Sequence, residues 1–147
     1  MAYRLRRLWW RVVRPVIVGV RVVVRDDQGR LLVVRHRYGR DVLHLPGGGV
    51  KRGESLPQAA ARELGEEGGV DVDPDSLVLV GAYTGFREGS TNHVIVYEAP
   101  EWTAGEVHAF EIAETLWVDP ADETVKLSGG TRRRLAELAG APRSSKW

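Results

Sequence analysis

The chain has 147 residues, 43% of them apolar and 28% charged, with no cysteine and a formal net charge of +1. That length and balance fit one globular domain with a real core. Disulfides, thiolate zinc sites and cysteine nucleophiles are excluded, and a reducing, cytoplasmic setting is the expected one. The charge is uneven. Residues 1–14 hold Arg4, Arg6, Arg7, Arg11 and Arg14 with no acid, so they carry +5 and the remainder carries −4. No apolar run approaches the ~20 residues of a transmembrane helix. The basic start also lacks the long apolar stretch and cleavage site of a secretory signal.

Residues 4–13 are predicted as an amphipathic helix, with Leu5, Leu8, Trp9 and Val12 on one face and Pro15 ending it. Three roles are open to it. It can cover the sheet or the partner in a homodimer. Its basic face and tryptophans suit anionic lipid. Its arginines also suit a nucleic acid backbone such as RNA.

Strands are predicted at 16–25 and 30–35, joined through Asp26-Asp27-Gln28-Gly29 as a β-hairpin, with Gly29 at positive φ. A short extended piece at 42–45 breaks at Pro46-Gly47-Gly48-Gly49. A helix follows over 55–67. Ser55 is its N-cap, Gln58 completes a capping box, and Pro57 sits in the first turn, where its missing N–H costs nothing. Leu56, Ala60 and Leu64 line its inward face, and Gly68-Gly69 stops it. Further strands are predicted at 77–84, 93–99 and 112–118. Asp119-Pro120 is read as the start of a short helical turn, and 131–139 as a C-terminal helix. Strands and helices mix without a strict β-α-β rhythm, so the fold class is α+β.

The segment from Gly48 to Val70 carries the chemistry. On a regular helix, at ~100° per residue, Glu63, Glu66 and Glu67 share one face within roughly a 100° arc. They repel one another there, and the helix C-terminus disfavours them further. Folding alone does not ask for this arrangement. A bare ExxEE is most simply a solvated acidic face, but the surroundings point elsewhere. A glycine-rich loop precedes the helix, so backbone can approach a ligand closely. Arg62 stands beside the acids, within reach of Glu66 at i+4 or of Glu54 across the loop. Clustered carboxylates are what a hard cation such as Mg²⁺ requires.

The segment GGVKRGESLPQAAARELGEEGGV resembles the Nudix box, G-x5-E-x7-R-E-U-x-E-E-x-G-U with U bulky and aliphatic. Gly48, Glu54, Arg62, Glu63, Leu64, Glu66, Glu67, Gly69 and Val70 fill its nine specified positions. The order of strands on either side extends the likeness over about residues 16–139. The resemblance implies the Nudix fold: a mixed β-sheet in an α/β/α sandwich, with the box as loop–helix–loop. The domain would then run over 16–140, between the N-terminal helix (1–15) and a tail (141–147).

The resemblance also implies a pyrophosphohydrolase. Mg²⁺, with Mn²⁺ as a substitute, would be bound by Glu63, Glu66, Glu67 and the Gly48 carbonyl. The catalytic set would be Glu63, Glu67 and Arg62, with Glu63 or Glu67 as base on the attacking water. The implied substrate is a small phosphorylated nucleotide, such as a nucleotide sugar or a nucleoside triphosphate. An RNA 5′ end is the alternative, and a ligand sensor without catalysis is a third reading, which an intact box weighs against. Some members use a further glutamate, for which Glu98, Glu101, Glu106, Glu111 and Glu114 are candidates.

Substrate markers run out here. The proline of some ADP-ribose hydrolases is absent, with Gly85, Phe86 and Arg87 in its place, and so is the tyrosine of dinucleoside polyphosphate hydrolases. The coenzyme A and NADH signatures are absent, and isopentenyl diphosphate isomerases need a cysteine. Arg35, Arg37 and Phe86 are the expected substrate-binding residues, arginine for phosphate and the ring for stacking. Arg40, Arg87, Tyr83, Tyr97, Trp102 and Trp117 stand behind them. Of the histidines, His44 alone is close to the loop in sequence, and a packing role is expected for it.

Overall fold

The computed structural model describes residues 15–87 and 89–147, apart from the side chain of Arg87. The amphipathic helix expected over 4–13 lies outside those residues. The described strands are β1 (Val16–Val24), β2 (Leu31–His36), β3 (Leu43–His44), β4 (Val70–Asp71), β5 (Val78–Arg87), β6 (Ser90–Ala99), β7 (Thr103–Ala104) and β8 (Ile112–Val118). The helices are α1 (Leu56–Glu63) and α2 (Gly129–Leu138). Strands order as β1-β6-β5, β3-β2-β8 and β4-β7. The first group is mixed, since β6 runs parallel to β1 and antiparallel to β5.

The valines of β1 explain its central place. Successive side chains point to opposite faces of a strand. Val20, Val22 and Val24 meet Ala59, Ala60 and Leu64 of the box helix in one cluster, while Val23 joins Leu31, Val33 and Leu135 of α2 in another. Both faces are therefore covered, one by each helix, and the α/β/α layering and the α+β class hold.

Three local expectations are corrected. First, β1 and β2 do not form a hairpin. The turn exists: Gly29 has φ 76° and donates to the Asp26 carbonyl at 3.0 Å. One antiparallel bridge, Arg25 with Leu31, closes it, and the strands then part. The edge of β1 that β2 would use is occupied by residues 46–50. Val22 N–H donates to Pro46 O (3.0 Å), Val20 N–H to Gly48 O (2.9 Å), and Val50 N–H to Val18 O (3.2 Å).

Second, the box helix is not α-helical to its end. Its start is as expected, with Ser55 and Gln58 closing the capping box, but Leu64–Gly68 form a π turn before Gly69 at φ 62°. Third, Asp119-Pro120 opens no helix. The Asp119 side chain accepts from Ala121 N–H at 2.8 Å and closes an isolated turn. This is the local competition with helix that aspartate offers. α2 instead begins before 131, capped by Ser128, whose side chain accepts from Thr131 N–H.

Residues 141–147 return to the sheet. Thr84 N–H donates to Ser145 O (2.7 Å) and Trp147 N–H to Thr84 O (3.0 Å). Trp147 and Tyr83 flank the buried Arg134, whose guanidinium lies 3.5 Å from the Tyr83 ring centroid and 5.8 Å from that of Trp147. A methyl at Gly130 would stand 2.5 Å from the Trp147 ring, so glycine is needed there for the ring to seat. Removal of residues 145–147 is expected to lower stability by about 3 kcal/mol, through lost aromatic burial and a weakened cation–π contact. Lys146→Ala, at an exposed position, is expected to cost less than about 0.5 kcal/mol. Urea unfolding of both variants checks this, and a truncation as mild as the point change would contradict it.

Candidate active site

The site begins at the loop on the edge of β1. Gly47 has φ 144°, and a Cβ there would fall 2.1 Å from Val20 O. Only glycine brings this backbone so close to the strand. Gly48 needs glycine for another reason. A Cβ on it would lie 2.7 Å from each of the Glu63 carboxylate atoms. Glu63 thus rests its carboxylate against the Gly48 backbone. One residue earlier, Gly47 N–H donates to Glu67 Oε2 at 2.9 Å. Two box glutamates converge on one glycine pair.

The π turn sorts the three acids. Its wider winding turns Glu67 inward, to 3% exposure, and leaves the Glu66 side chain 44% exposed. Glu66 reaches Arg62 at 3.3 Å and Lys51 at 3.9 Å instead. The single arc expected of a regular helix is therefore divided. Among the described residues, no three acidic or histidine side chains close on one point.

Arg62 binds both acids that the sequence offered it. Its Nε and Nη2 hold the two oxygens of Glu54 at 2.6 and 3.1 Å. Nη1 donates to Glu63 at 2.7 Å and to Glu66 at 3.3 Å, and Nη2 also reaches the Gly49 carbonyl at 3.0 Å. The Arg62 hydrogen bonds, helped by Lys51 N–H, push Glu54 down to about 2. The same contacts raise the basicity of Arg62.

Glu67 is shifted the other way. Burial pushes it up to about 7, and the charges of Glu63 and Glu111 add to that shift. The Gly47 N–H and the charge of Arg21 oppose it. Arg21 is a half-buried cation whose Nη1 spans the carbonyls of Leu45 and Gly47, both at 2.8 Å. Burial lowers its basicity against the pull of Glu67 and Glu63. His36 Nε2 stands 4.0 Å from Glu67 Oε1. Burial and the charge of Arg21 lower the His36 pKa, against the opposing charge of Glu111. Its edge meets His44, with centroids 5.5 Å apart.

Glu63 and Glu67, with the Gly48 carbonyl, form a set of hard oxygen donors that suits a divalent cation. The hydrogen bond to Glu67 comes from backbone, so a buried charge is left for such an ion to offset. Of the five further glutamates, Glu111 is the one that acts on Glu67. Glu98 and Glu114 pair with Arg25 and Arg35, and Glu101 and Glu106 are exposed.

The expected substrate residues separate. Arg35 is held by Asp41 and by Glu114 (3.1 Å). Arg37 donates from Nε to the Phe110 carbonyl at 2.7 Å. Phe86 is exposed on β5, separated from the glycine loop by β6 and β1, or roughly 14 Å at ordinary strand spacing. Arg21 and the placement of His36 escaped the sequence reading. Arg21 did leave a signal, as the one charge inside a run of valines. Nothing local marks His36.

The NUDIX domain model matches residues 15–138. A MutT-like protein of Streptomyces ambofaciens is 31% identical over 123 residues, covering 82% of this chain and 75% of that protein. An RNA pyrophosphohydrolase of Saccharophagus degradans is 47% identical over 52 residues, 35% of this chain and 31% of that one. The fold is similar to the crystal structure of a MutT NUDIX hydrolase from Burkholderia pseudomallei, with a TM-score of 0.74 and 23% identity over 84% of this chain and 98% of that one. The chain spans about a third to a half of the length of several curated relatives that it matches.

The two glycines are expected to fail differently. Gly47→Ala drives a methyl into backbone at a strained φ and is expected to cost on the order of 3 kcal/mol. Gly48→Ala meets only the movable end of Glu63. It is expected to keep its thermal unfolding within a few degrees while weakening Mn²⁺ binding about tenfold. Thermal melts and a relaxation titration with Mn²⁺ separate the two. Equal destabilisation by both substitutions would contradict the assigned contacts.

Proposed function

The chain belongs to the Nudix family, and we propose that it is a Mg²⁺-dependent pyrophosphohydrolase, cleaving a diphosphate linkage in a nucleotide-type substrate by attack of water at phosphorus. One observation carries this reading: Glu63 and the buried Glu67 meet at Gly47 and Gly48, with backbone rather than a cation bonded to Glu67. A divalent cation on Glu63, Glu67 and the Gly48 carbonyl, with Glu66 to its outer side, would offset diphosphate charge and acidify a bound water.

The protein's own groups divide the remaining work. Arg62 fixes the Glu63 carboxylate and ties it to Glu54 and the Gly49 carbonyl, so the helix and loop stay in register. Burial raises the proton affinity of Glu67, and this favours Glu67 as acceptor of the water proton. Arg21 holds the carbonyls of Leu45 and Gly47 in place beneath the acids. Of Arg35 and Arg37, Arg37 is the one left for substrate phosphate, since Arg35 is committed to Asp41 and Glu114.

A second reading, removal of pyrophosphate from RNA 5′ ends, is supported by the 47% identity with an RNA pyrophosphohydrolase. The five arginines of residues 1–14 would supply charge for the RNA backbone.

A panel of nucleoside triphosphates, nucleotide sugars, ADP-ribose, dinucleoside polyphosphates and triphosphorylated RNA tests both readings. Mg²⁺-dependent phosphate release from one class is expected, and its loss in Glu67→Gln with the fold retained. Near-full turnover by that variant would refute the mechanism. The same residue sets a pH dependence. Native Glu67 binds its proton more tightly than the unfolded chain does, about 7 against the ordinary 4.5. Stability of the metal-free protein is therefore expected to fall as pH rises through that window, by up to about 3 kcal/mol. Glu67→Gln is expected to remove the fall, and Mg²⁺ to flatten it. Urea midpoints at about pH 5 and about pH 8 measure this, and a wild-type midpoint higher at the upper pH would contradict it.

A further inference from the structure

The last turn of the box helix holds a second segment in place. The Glu66 carbonyl accepts from both His108 N–H and Ala109 N–H at 2.9 Å. On the other side, Arg37 N–H donates to the Glu111 carbonyl at 2.7 Å, and Arg37 Nε donates to the Phe110 carbonyl at 2.7 Å. Residues 108–111 are thus pinned between the acid-bearing turn and the end of β2. They display Phe110, whose side chain is 79% exposed. The Arg37 guanidinium lies 5.5 Å from the Phe110 ring centroid.

The chain beside each of these two residues leads to the acidic site. The residue after Phe110 is Glu111, whose charge acts on both Glu67 and His36. The residue before Arg37 is His36, 4.0 Å from Glu67. A single exposed phenylalanine is ordinary on a protein surface. This one differs in that its backbone is held from two sides and its ring is braced by an arginine. Among the described residues, no carboxylate lies within ion-pair distance of that arginine. The ring offers a flat apolar face, and the guanidinium offers charge beside it. An aromatic base attached to a phosphate chain matches that pair, by stacking on the first and pairing with the second.

We infer that Phe110, braced by Arg37, is the platform on which the substrate's nucleobase stacks, so that the enzyme selects base-bearing diphosphates over base-free ones. This rests on the hydrolase reading above and narrows it. Phe110 is a specificity residue, and the reacting phosphorus belongs to the box glutamates.

Binding and turnover test it separately. With Mg²⁺ present, calorimetric titration compares α,β-methylene ADP with methylenediphosphonate, which keeps the bridge and lacks the nucleoside. Wild type is expected to bind the nucleotide at least tenfold more tightly. Phe110→Ala is expected to weaken nucleotide binding about tenfold and to leave methylenediphosphonate unchanged, while Phe110→Tyr restores the preference. Because the side chain is exposed, melting temperatures of the variants should match wild type. In turnover, Phe110→Ala is expected to raise KM for nucleotides with kcat little changed, and to leave phosphoribosyl diphosphate unaffected. Equal binding of the two analogues by wild type, or equal weakening of both by Phe110→Ala, would overturn the platform. Failure of the hydrolase reading would appear elsewhere, as absence of Mg²⁺-dependent phosphate release from any substrate while the binding comparison still decides the role of Phe110.

Discussion

Three backbone hydrogen bonds along one edge of β1, from Val20 and Val22 to the loop and from Val50 back to Val18, decide the course of the chain on both sides of them. They occupy the edge that a β1–β2 hairpin would need, so β2 leaves after one bridge and joins β3 and β8. They also press Gly47 and Gly48 onto the strand at a distance that side chains at those positions would prevent. The box helix packs its alanines on the same strand. Loop and helix are therefore referenced to one rigid element, and two glutamates from the helix end arrive at the loop's backbone. A functional site gains precision when the elements that carry it share a packed support.

That arrangement gathers negative charge where the fold does not need it. The charges of Glu63 and Glu111 act on Glu67, and burial makes the charge on Glu67 costly. The protein answers with two arginines bonded in different ways. Arg62 lies across Glu54, Glu63 and Glu66 like a clamp. Arg21 is bonded to carbonyls rather than to acids, and meets the carboxylates through its field. The compensation is partial, and this suits a site whose remaining charge is to be met by a cation. Strong perturbation of a carboxyl by burial, beside a clamped neighbour, is the usual mark of a site that handles protons.

The π turn links the acidic centre to its rim. By widening the helix's last winding it buries Glu67 and frees the Glu66 carbonyl, which takes two N–H donors from residues 108 and 109. The acid-bearing turn and the segment that carries Phe110 are therefore parts of one hydrogen-bonded frame. A substrate seated on the rim would sense the same turn that orients the carboxylates.

The sequence by itself determined the box: nine residues at fixed spacing, the capping box at Ser55 and Gln58, the inward face of Ala60 and Leu64, and a left-handed stop within Gly68-Gly69, which the fold places at Gly69. These are local effects, governed by helix period, cap chemistry and glycine's freedom, so a linear reading captures them. It also offered Arg62 two partners, and both pairings form. Tertiary structure decided the rest. Whether two adjacent strands pair depends on which edge is already occupied, and the occupant of β1 comes from residues 46–50. Whether a glutamate titrates low or high depends on its burial, which separated Glu54 from Glu67. Which of five glutamates acts on Glu67, and which of Arg35 and Arg37 is held by acids, depended on tertiary contacts: the Glu111 charge reaches Glu67, while Arg35 is paired with Asp41 and Glu114. Local spacing cannot report a contact made across seventy or more residues, and the rim of this site is built from such contacts.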